Sequence, residues 1–207
     1  MSGKAIVTII NYGMGNLRSV ANAVEYLGHT PCVTADPDAV RRAEKLILPG
    51  VGAFAAGTQQ LRARGLVEPI GQAAQAGTHL LGICLGMQMF MRRSTEFGVH
   101  DGLAFLQGDV CRMDAESFGL PLPHIGWNVT SFAAAHPVVA GLPEGQCFYY
   151  VNSYACLSDE TSDVLATFEY GRPYAAVVAR ENVVGVQFHP EKSQAHGLAL
   201  LRKFLDW

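Results

Sequence analysis

Apolar residues along the first half of the chain follow two spacings that alternate with each other. Short continuous apolar runs are typical of buried strands, whereas apolar residues that recur every three or four positions are typical of amphipathic helices. This alternation predicts an α/β fold with a doubly wound, mostly parallel sheet and helices on both faces. The predicted strands are 4–10, 31–34, 45–50 and 78–83. The predicted helices are 17–28, a segment opened by Asp36 and Pro37, and 85–93, and helical patterns cover about 53–76.

The second half, from about residue 104, has shorter apolar runs separated by frequent turn residues. We expect these runs to form antiparallel strands in hairpins appended to the parallel sheet, followed by a closing amphipathic helix over 193–207. No internal repeat, low-complexity tract or linker divides the chain, so we expect one domain over residues 1–207. The predicted late strands are 147–157, 163–170, 174–180 and 183–188.

Composition and charge narrow the classes of protein to which the chain can belong. The 207 residues carry a net charge of −3 and the basic residues form no stripe, which argues against nucleic acid as a partner. No apolar run approaches the length of a membrane span and the start lacks a secretion-signal pattern, so a cytoplasmic protein is expected. An odd number of cysteines without CxxC spacing argues against a disulfide framework and a zinc site. They are Cys32, Cys84, Cys111, Cys147 and Cys156.

One of these cysteines has unusual neighbours. In the string GICLG, Cys84 lies between Gly82 and Gly86, at the junction of a predicted strand and a predicted helix. Small residues two positions before and after a nucleophile let the strand and the helix pass closely, as in the GxSxG elbow of hydrolases. Cys84 is therefore a candidate nucleophile. The alternative is a structural residue in the core, where an isolated cysteine is usually found.

A nucleophilic cysteine needs a base, and the base needs a group that orients it. Among the seven histidines, His189 in GVQFHPEKS ends an apolar strand, and Pro190 biases it towards extended backbone. Glu191 comes next and can fix the imidazole tautomer, as the acid does in a serine triad. The alternative is a strand-end histidine followed by a glutamate that caps the last helix.

Two segments offer backbone N–H groups to a tetrahedral intermediate. Leu85 begins the helix after Cys84, so its N–H lacks an intrahelical acceptor, and the positive end of that helix would stabilise a thiolate. The string PGVGAF follows a neighbouring strand, and Gly50 and Gly52 allow loop conformations in which the N–H of Val51 or Gly52 points at the site. Taken alone, this string indicates only a turn.

The strings PGVGAF, GICLGMQ and GVQFHPEKS, in this order and spacing, resemble those of class I (triad) glutamine amidotransferases, and the similarity runs along nearly the whole chain. NYGMGN near the start and LPHIGWN at 122–128 narrow the resemblance to the glutaminase subunits of imidazole glycerol phosphate synthases. The resemblance implies a flavodoxin-like fold, no metal or organic cofactor, and Cys84, His189 and Glu191 as the catalytic triad.

The resemblance also implies a reaction and a partner. Cys84 would attack the side-chain amide of glutamine, His189 would protonate the leaving ammonia, and water would hydrolyse the glutamyl thioester to glutamate. The ammonia would pass to a (β/α)8-barrel cyclase subunit in a heterodimer. There it would react with the ribulosyl nucleotide PRFAR, giving imidazole glycerol phosphate and AICAR in histidine biosynthesis.

Residues that would hold glutamine are likewise implied by the resemblance. In the string YYVNSY, Asn152 stands where many relatives have His, which leaves the role of residue 152 open. The alternative for Gln88 is the surface of a helix, and the alternative for Glu96 is a solvated loop. The expected glutamine contacts are Gly52, Gln88, Glu96, Ser153 and Tyr154.

Three residues are expected to face the cyclase subunit by the same resemblance: Asn16, Trp127 and Lys192. A large rigid ring such as Trp127 buries well at an interface, although an ordinary core position is the alternative. We expect the partner to cover the edge of the sheet where the parallel strands end. Docking there could reorient the glycine-containing loop at 49–54 and present the Val51 N–H.

Three other functions fit parts of the sequence. A class I glutaminase could serve a different synthase, such as one for anthranilate, pyridoxal phosphate or surface-sugar amidation, although HIGWN favours the histidine pathway. A non-catalytic relative could keep the fold as an interaction module, although Cys84, His189 and Glu191 are all in place. An α/β cysteine hydrolase could also act alone on another amide or ester.

Overall fold

The computed structural model describes residues 4–133 and 135–207. These residues form thirteen strands and six α-helices, together with short 3-10 turns. The strands are β1 (Ile6–Ile10), β2 (Thr30–Thr34), β3 (Lys45–Gly50), β4 (His79–Cys84), β5 (Met91–Ser94), β6 (His100–Asp101), β7 (Leu106–Arg112), β8 (His124–Phe132), β9 (Gln146–Asn152), β10 (Tyr154–Ser158), β11 (Val164–Tyr170), β12 (Arg172–Arg180) and β13 (Val183–Val186). The helices are α1 (Leu17–Tyr26), α2 (Pro37–Arg41), α3 (Phe54–Ala63), α4 (Val67–Gln75), α5 (Leu85–Phe90) and α6 (Gln194–Asp206).

Nine of the strands form one sheet in the order β2-β1-β3-β4-β13-β12-β11-β8-β9. The pairings from β2 to β13 are parallel, and the pairings from β13 to β9 are antiparallel. The expected α/β sheet with late antiparallel strands is therefore confirmed. Because β3, β4 and β13 are parallel neighbours, their carboxyl ends meet at one edge of the sheet.

Helices cover both faces of this sheet, as the apolar pattern predicts. Residues of α1 and α6 join one buried cluster, and residues of α2, α3, α4 and α5 join the other. The predicted start of α1 is confirmed, because the Asn16 side chain accepts a hydrogen bond from the Ser19 N–H at 3.4 Å. Asp36 caps α2 in the same way, by accepting from the Asp38 N–H at 3.0 Å. None of the helices in the described ranges is long and apolar enough to cross a membrane.

A second sheet, in the order β10-β7-β5-β6, was not predicted and corrects two element boundaries. The helix predicted over 85–93 ends at Phe90, because the chain from Met91 pairs with β7 as strand β5. The strand predicted over 147–157 is two strands, since β9 pairs with β8 in the large sheet while β10 pairs with β7 in the small one. The chain changes sheet at Ser153, between the two strands.

Candidate active site

The junction between β4 and α5 is a sharp turn centred on Cys84. Its φ of 55° lies in the left-handed region, which a residue other than glycine occupies only when its surroundings hold it there. A Cβ added at Gly82 would lie 2.6 Å from the Phe90 ring and 2.7 Å from the Gly86 and Met87 backbone. A Cβ added at Gly86 would clash with the carbonyl oxygen of Leu48. Both glycines therefore allow the close passage of strand and helix that presents the sulfur.

His189 and Glu191 form a buried pair beyond the end of β13, the strand next to β4. His189 Nδ1 lies 2.9 Å from Glu191 Oε1, and each side chain is 2% exposed. The His189 backbone is fixed separately, because its N–H donates to the Tyr149 carbonyl at 2.9 Å. Pro190 then begins a 3-10 turn that carries Glu191 back towards the ring. A proton on Nδ1 donates to the carboxylate, which leaves Nε2 as the working nitrogen.

The imidazole of His189 responds to three influences. Burial lowers its pKa, while Cys84 and Glu191 raise it, and the net result is a pKa raised to about 9. Nε2 makes no hydrogen bond of normal geometry to a described residue, yet Cys84 lies close enough to act on the ring. The site therefore favours a protonated imidazole beside the sulfur and a carboxylate behind the ring.

A cavity of about 350 Å³ opens in front of Cys84. This volume is at the small end of ligand sites and suits a molecule the size of an amino acid. Glu191 is absent from its lining, because the carboxylate lies on the far side of the His189 ring. The lining brings together nine of the predicted site residues: Val51, Gly52, Cys84, Leu85, Gln88, Glu96, Ser153, Tyr154 and His189.

Backbone N–H groups suited to an oxyanion come from both sides of the cavity. Leu85 is the first residue of α5, so its N–H has no acceptor within the helix. The N–H of Val51 donates no hydrogen bond to a described residue. Gly52 has a φ of +97°, a conformation that side chains rarely adopt. The loop that carries Val51 can therefore change its backbone conformation at a glycine.

The side-chain nitrogen of Gln88 is fixed by two hydrogen bonds, and its side-chain oxygen remains available for a ligand. Its Nε2 donates to the Tyr154 carbonyl and to Gln187 Oε1, both at 3.1 Å. Both amide hydrogens are then used, so Oε1 is the group left to accept a hydrogen bond from a ligand. The side chain is 6% exposed, and the alternative position on a helix surface is therefore wrong.

One carboxylate oxygen of Glu96 makes a hydrogen bond within the fold, and the other is available for a ligand. Its Oε2 accepts a hydrogen bond from the N–H of Phe54, the first residue of α3, at 2.6 Å. Glu96 thus caps a helix while it lines the cavity, and the second oxygen can meet a cation. Phe97 follows at the cavity lining and is 87% exposed, a feature that the sequence did not point out.

The turn from β9 to β10 shapes the opposite wall. Asn152 is buried, and its Nδ2 donates to the Tyr154 carbonyl at 3.0 Å and to Met113 Sδ at 3.2 Å. Asn152 therefore braces the turn that presents Ser153 and Tyr154 to the cavity. This contact gives residue 152 a structural role that does not need an imidazole.

Sequence reasoning missed Gln187, which touches two site residues. Its Nε2 points at Cys84 Sγ, 3.8 Å away, and its Oε1 accepts from Gln88. The side chain is fully buried at the end of β13. The available signal was a polar glutamine inside the otherwise apolar run VVGVQF, since a buried polar side chain needs partners.

Two of the three expected interface residues share a neighbour. Trp127 is 49% exposed on β8 and packs edge-on against Tyr149 at 6.1 Å, so the alternative position in the core is wrong. The exposed Lys192 places its Nζ over the same Tyr149 ring, 5.8 Å from the centroid. Asn16 lies on a different element, as the exposed cap of α1. In the described part of the chain, no group of three or more His, Cys, Asp or Glu side chains could hold a metal ion.

Comparisons with known proteins match nearly the whole chain. The family model described as glutamine amidotransferase class-I matches residues 8–207. A protein of Syntrophotalea carbinolica named imidazole glycerol phosphate synthase subunit HisH is 46% identical, with 97% of this chain and 100% of that protein covered. The protein of the same name from Symbiobacterium thermophilum is 48% identical, with 95% of this chain and 92% of that protein covered.

Solved structures resemble the fold at lower sequence identity. The structure of PurLQS from Thermotoga maritima has a TM-score of 0.77 and 19% identity, with 98% of each chain covered. A structure described as a glutamine amidotransferase has a TM-score of 0.72 and 21% identity, with 96% of each chain covered. At these identities the likeness concerns the fold alone.

Proposed function

The chain belongs to the class I glutamine amidotransferases, and from this premise we propose that it is the glutaminase subunit of an imidazole glycerol phosphate synthase. It forms one amidotransferase domain over residues 1–207 and works in the cytoplasm as a heterodimer with a (β/α)8-barrel cyclase subunit. The observation that carries the proposal is the buried His189–Glu191 pair beside Cys84 at the elbow.

The reaction begins when the Cys84 sulfur attacks the side-chain carbonyl carbon of glutamine. A C–S bond forms, and the carbonyl oxygen becomes an oxyanion that the N–H groups of Val51 and Leu85 stabilise. His189, protonated at Nε2, gives its proton to the amide nitrogen, so that the C–N bond breaks and ammonia leaves. Glu191 keeps the imidazole in the required tautomer throughout.

The second half of the reaction releases glutamate. His189, now neutral, takes a proton from a water molecule, which attacks the thioester carbonyl. The C–O bond forms, the C–S bond breaks, and the sulfur and the imidazole return to their starting states. One glutamine and one water thus give one glutamate and one ammonia.

Glutamine is held by polar groups around the cavity. The second oxygen of Glu96 pairs with the α-ammonium group, and Gln88 Oε1 accepts a hydrogen bond from the substrate. Gly52 contributes its backbone, while Ser153 and Tyr154 close the opposite wall. Their position in the cavity lining supports these roles.

The cyclase subunit docks on the exposed surface of β8 and β9, which we call the β8–β9 face (Ile125, Trp127, Val129, Tyr149 and Val151). Three of its apolar side chains are between 45% and 61% exposed, and β9 is the edge strand of the sheet. The face continues into the active site, because Val151 also lines the cavity. The docked cyclase receives the ammonia and converts PRFAR to imidazole glycerol phosphate and AICAR. Lys192 and Asn16 complete the contact.

Glutamine hydrolysis is coupled to the state of the cyclase. Hydrolysis without a waiting acceptor would waste ammonia, so the Val51 N–H points into the site only when the cyclase holds its nucleotide. The free Val51 N–H and the conformation of Gly52 support a loop that can make this change. One oxyanion donor is worth about 10²- to 10³-fold in kcat, which sets the size of the stimulation.

The test is glutamine hydrolysis by the subunit alone, with the cyclase subunit, and with the cyclase subunit plus PRFAR. We expect slow turnover in the first condition and about 10²-fold or greater stimulation in the third. Cys84→Ala should have no activity in any condition and should still bind the cyclase, because alanine adds no bulk at the elbow.

Other outcomes would contradict the coupling, the choice of partner or the enzymatic function. Full activity of the isolated subunit would contradict coupling. Stimulation by another synthase but not by the cyclase would change the partner. Absence of hydrolysis by the wild type in every condition would favour an interaction module.

A further inference from the structure

The side chain of Tyr12 places a hydroxyl group inside the fold. Tyr12 follows β1, is fully buried, and its hydroxyl makes no hydrogen bond to a described residue. A buried hydroxyl without a partner is costly compared with a phenylalanine at the same place. The cost is explained if the hydroxyl is needed in another state of the protein.

The Tyr12 hydroxyl lies between the glycine-containing loop at 49–54 and the elbow that joins β4 to α5. A Cβ added at Gly50 would clash with it and would lie 2.9 Å from Leu85 Cβ and 3.2 Å from the Gly86 nitrogen. The hydroxyl therefore occupies the side-chain position of residue 50, against the Gly50 α-carbon. Burial and the nearby Cys84 raise the pKa of the Tyr12 hydroxyl above its usual value, so it stays neutral and able to donate.

When the loop at 49–54 reorients, the Gly50 carbonyl needs a new hydrogen-bond donor. The Gly50 carbonyl and the Val51 N–H belong to one planar peptide, so turning the N–H into the site turns the carbonyl the opposite way. A carbonyl oxygen lies roughly 2.4 Å from its own α-carbon. Rotation of this peptide can therefore carry the Gly50 oxygen to a hydroxyl that is packed against the Gly50 α-carbon.

We propose that the Tyr12 hydroxyl donates a hydrogen bond to the Gly50 carbonyl when the Gly50–Val51 peptide turns, and so holds the Val51 N–H in the oxyanion hole. The inference rests on the proposed function, because it needs a loop with a resting and an active state. Tyr12 is then a positioning residue that acts through the loop and does not touch glutamine.

Tyr12→Phe separates this role from packing. The ring is kept and only the unpartnered hydroxyl is removed, so the melting temperature of the isolated subunit should equal or exceed that of the wild type. With the cyclase subunit and PRFAR bound, kcat for glutamine hydrolysis should fall about tenfold or more, towards the full effect of one oxyanion donor. KM should change less than threefold, and the rate of Cys84 alkylation by iodoacetamide should not change.

The matched control is Tyr150→Phe. Tyr150 is also buried, but its hydroxyl is satisfied at 2.6 Å by Thr130 Oγ1 on the neighbouring strand β8, and Tyr150 does not line the cavity. This variant should have a lower melting temperature and an unchanged kcat, which is the opposite of the Tyr12→Phe result.

Three results would overturn the role of Tyr12 while leaving the proposed function intact. One is a kcat and cyclase stimulation equal to those of the wild type in Tyr12→Phe. The second is a loss of kcat accompanied by a lower melting temperature or slower Cys84 alkylation, since the hydroxyl would then support the fold or the nucleophile. The third is an equal loss of kcat in Tyr150→Phe. Failure of the proposed function is seen separately, as absence of glutaminase activity in the wild-type complex.

Discussion

At the scale of single residues, the proposed chemistry depends on His189, whose charge is set by burial and by its two neighbours. The His189 pKa is lowered by burial and raised by Cys84 and Glu191, with a net value of about 9. The proton that the proposed mechanism gives to ammonia is therefore present on the ring at neutral pH. As the pH rises through about 9 the proton is lost, and with it the ability to protonate the leaving group.

Replacing Glu191 with Gln tests this reading of the pair. The change removes one of the two groups that raise the His189 pKa, so the basic limb of kcat/KM should move from about pH 9 to lower pH. An amide can still orient the ring, so Glu191→Gln should lose less activity at neutral pH than His189→Ala. The measurement is the pH dependence of glutaminase activity of the cyclase complex saturated with PRFAR.

Comparing Glu191→Gln with His189→Ala tests what the carboxylate contributes. An unshifted basic limb in Glu191→Gln would show that the carboxylate does not set the charge of the ring. Equal losses of activity in Glu191→Gln and His189→Ala would give the carboxylate a direct part in proton transfer.

Sequence reasoning identified functional residues that stand in recognisable short motifs. It missed residues whose contacts arise only when distant segments pack together. Cys84 and His189 stand in short strings whose neighbours indicate their chemistry, and the structure brings both to one cavity. Gln187 stands in an apolar run, and Tyr12 follows a strand, so the contacts of both side chains are defined only by the fold. Gln187 meets Cys84 across 103 positions of sequence, and only the pairing of β13 with β4 makes them neighbours.

At the scale of elements, the elbow between β4 and α5 depends on how closely strand and helix approach. Gly86 faces the carbonyl of Leu48 on the neighbouring strand β3, with no room for a side chain. Gly71, in the middle of α4, has open space instead. Close packing therefore requires a glycine at position 86, whereas the packing around position 71 leaves room for a side chain.

Alanine substitutions at these two glycines should change stability in opposite directions. Gly86→Ala should lower the free energy of unfolding by about 1–3 kcal/mol or more, because the methyl group meets backbone that cannot move aside. Gly71→Ala should raise it by about 0.5–1 kcal/mol, since alanine favours the helix and nothing obstructs it. Urea denaturation measures both, and a Gly86→Ala variant as stable as the wild type would contradict the packing described for the elbow.

The elements were predictable where one apolar spacing governs a whole segment. β3 follows the predicted range 45–50, and α1 starts after its predicted cap, Asn16. α5 was predicted too long, because Met91 extends the apolar run beyond Phe90 and the next two residues, Arg92 and Arg93, resemble the charged end of a helix. The small sheet escaped prediction because β5 and β6 have only four and two residues, and because β10 pairs with β7, which is distant in the sequence.

At the scale of the whole molecule, the sheet places the proposed active site beside an exposed apolar surface. The β8–β9 face carries half-exposed Trp127 at its centre, and Val151 links that face to the cavity. Val33 is comparably exposed but lies on β2, the opposite edge of the sheet. The two edges allow a matched comparison of surface substitutions.

Trp127→Ala should weaken cyclase binding at least tenfold and reduce the stimulation of glutamine hydrolysis, because a large aromatic anchor would be lost from the proposed interface. Val33→Ala should change neither quantity. Titration of each variant with the cyclase subunit, followed by calorimetry and by glutaminase rate, measures both. Undiminished binding and stimulation in Trp127→Ala would remove this residue from the interface.

The central claim is that Cys84 is the nucleophile for glutamine, and selective labelling tests it most directly. Cys32 is exposed whereas Cys84 is buried, so a reagent that follows accessibility alone would modify Cys32 first. A glutamine-like diazo-ketone should instead label Cys84 in the cyclase complex, and excess glutamine should slow this labelling. Peptide mapping by mass spectrometry identifies the modified residue. Labelling confined to Cys84 and slowed by glutamine is the predicted result, and labelling of Cys32 in preference, or labelling that glutamine does not slow, would contradict the account.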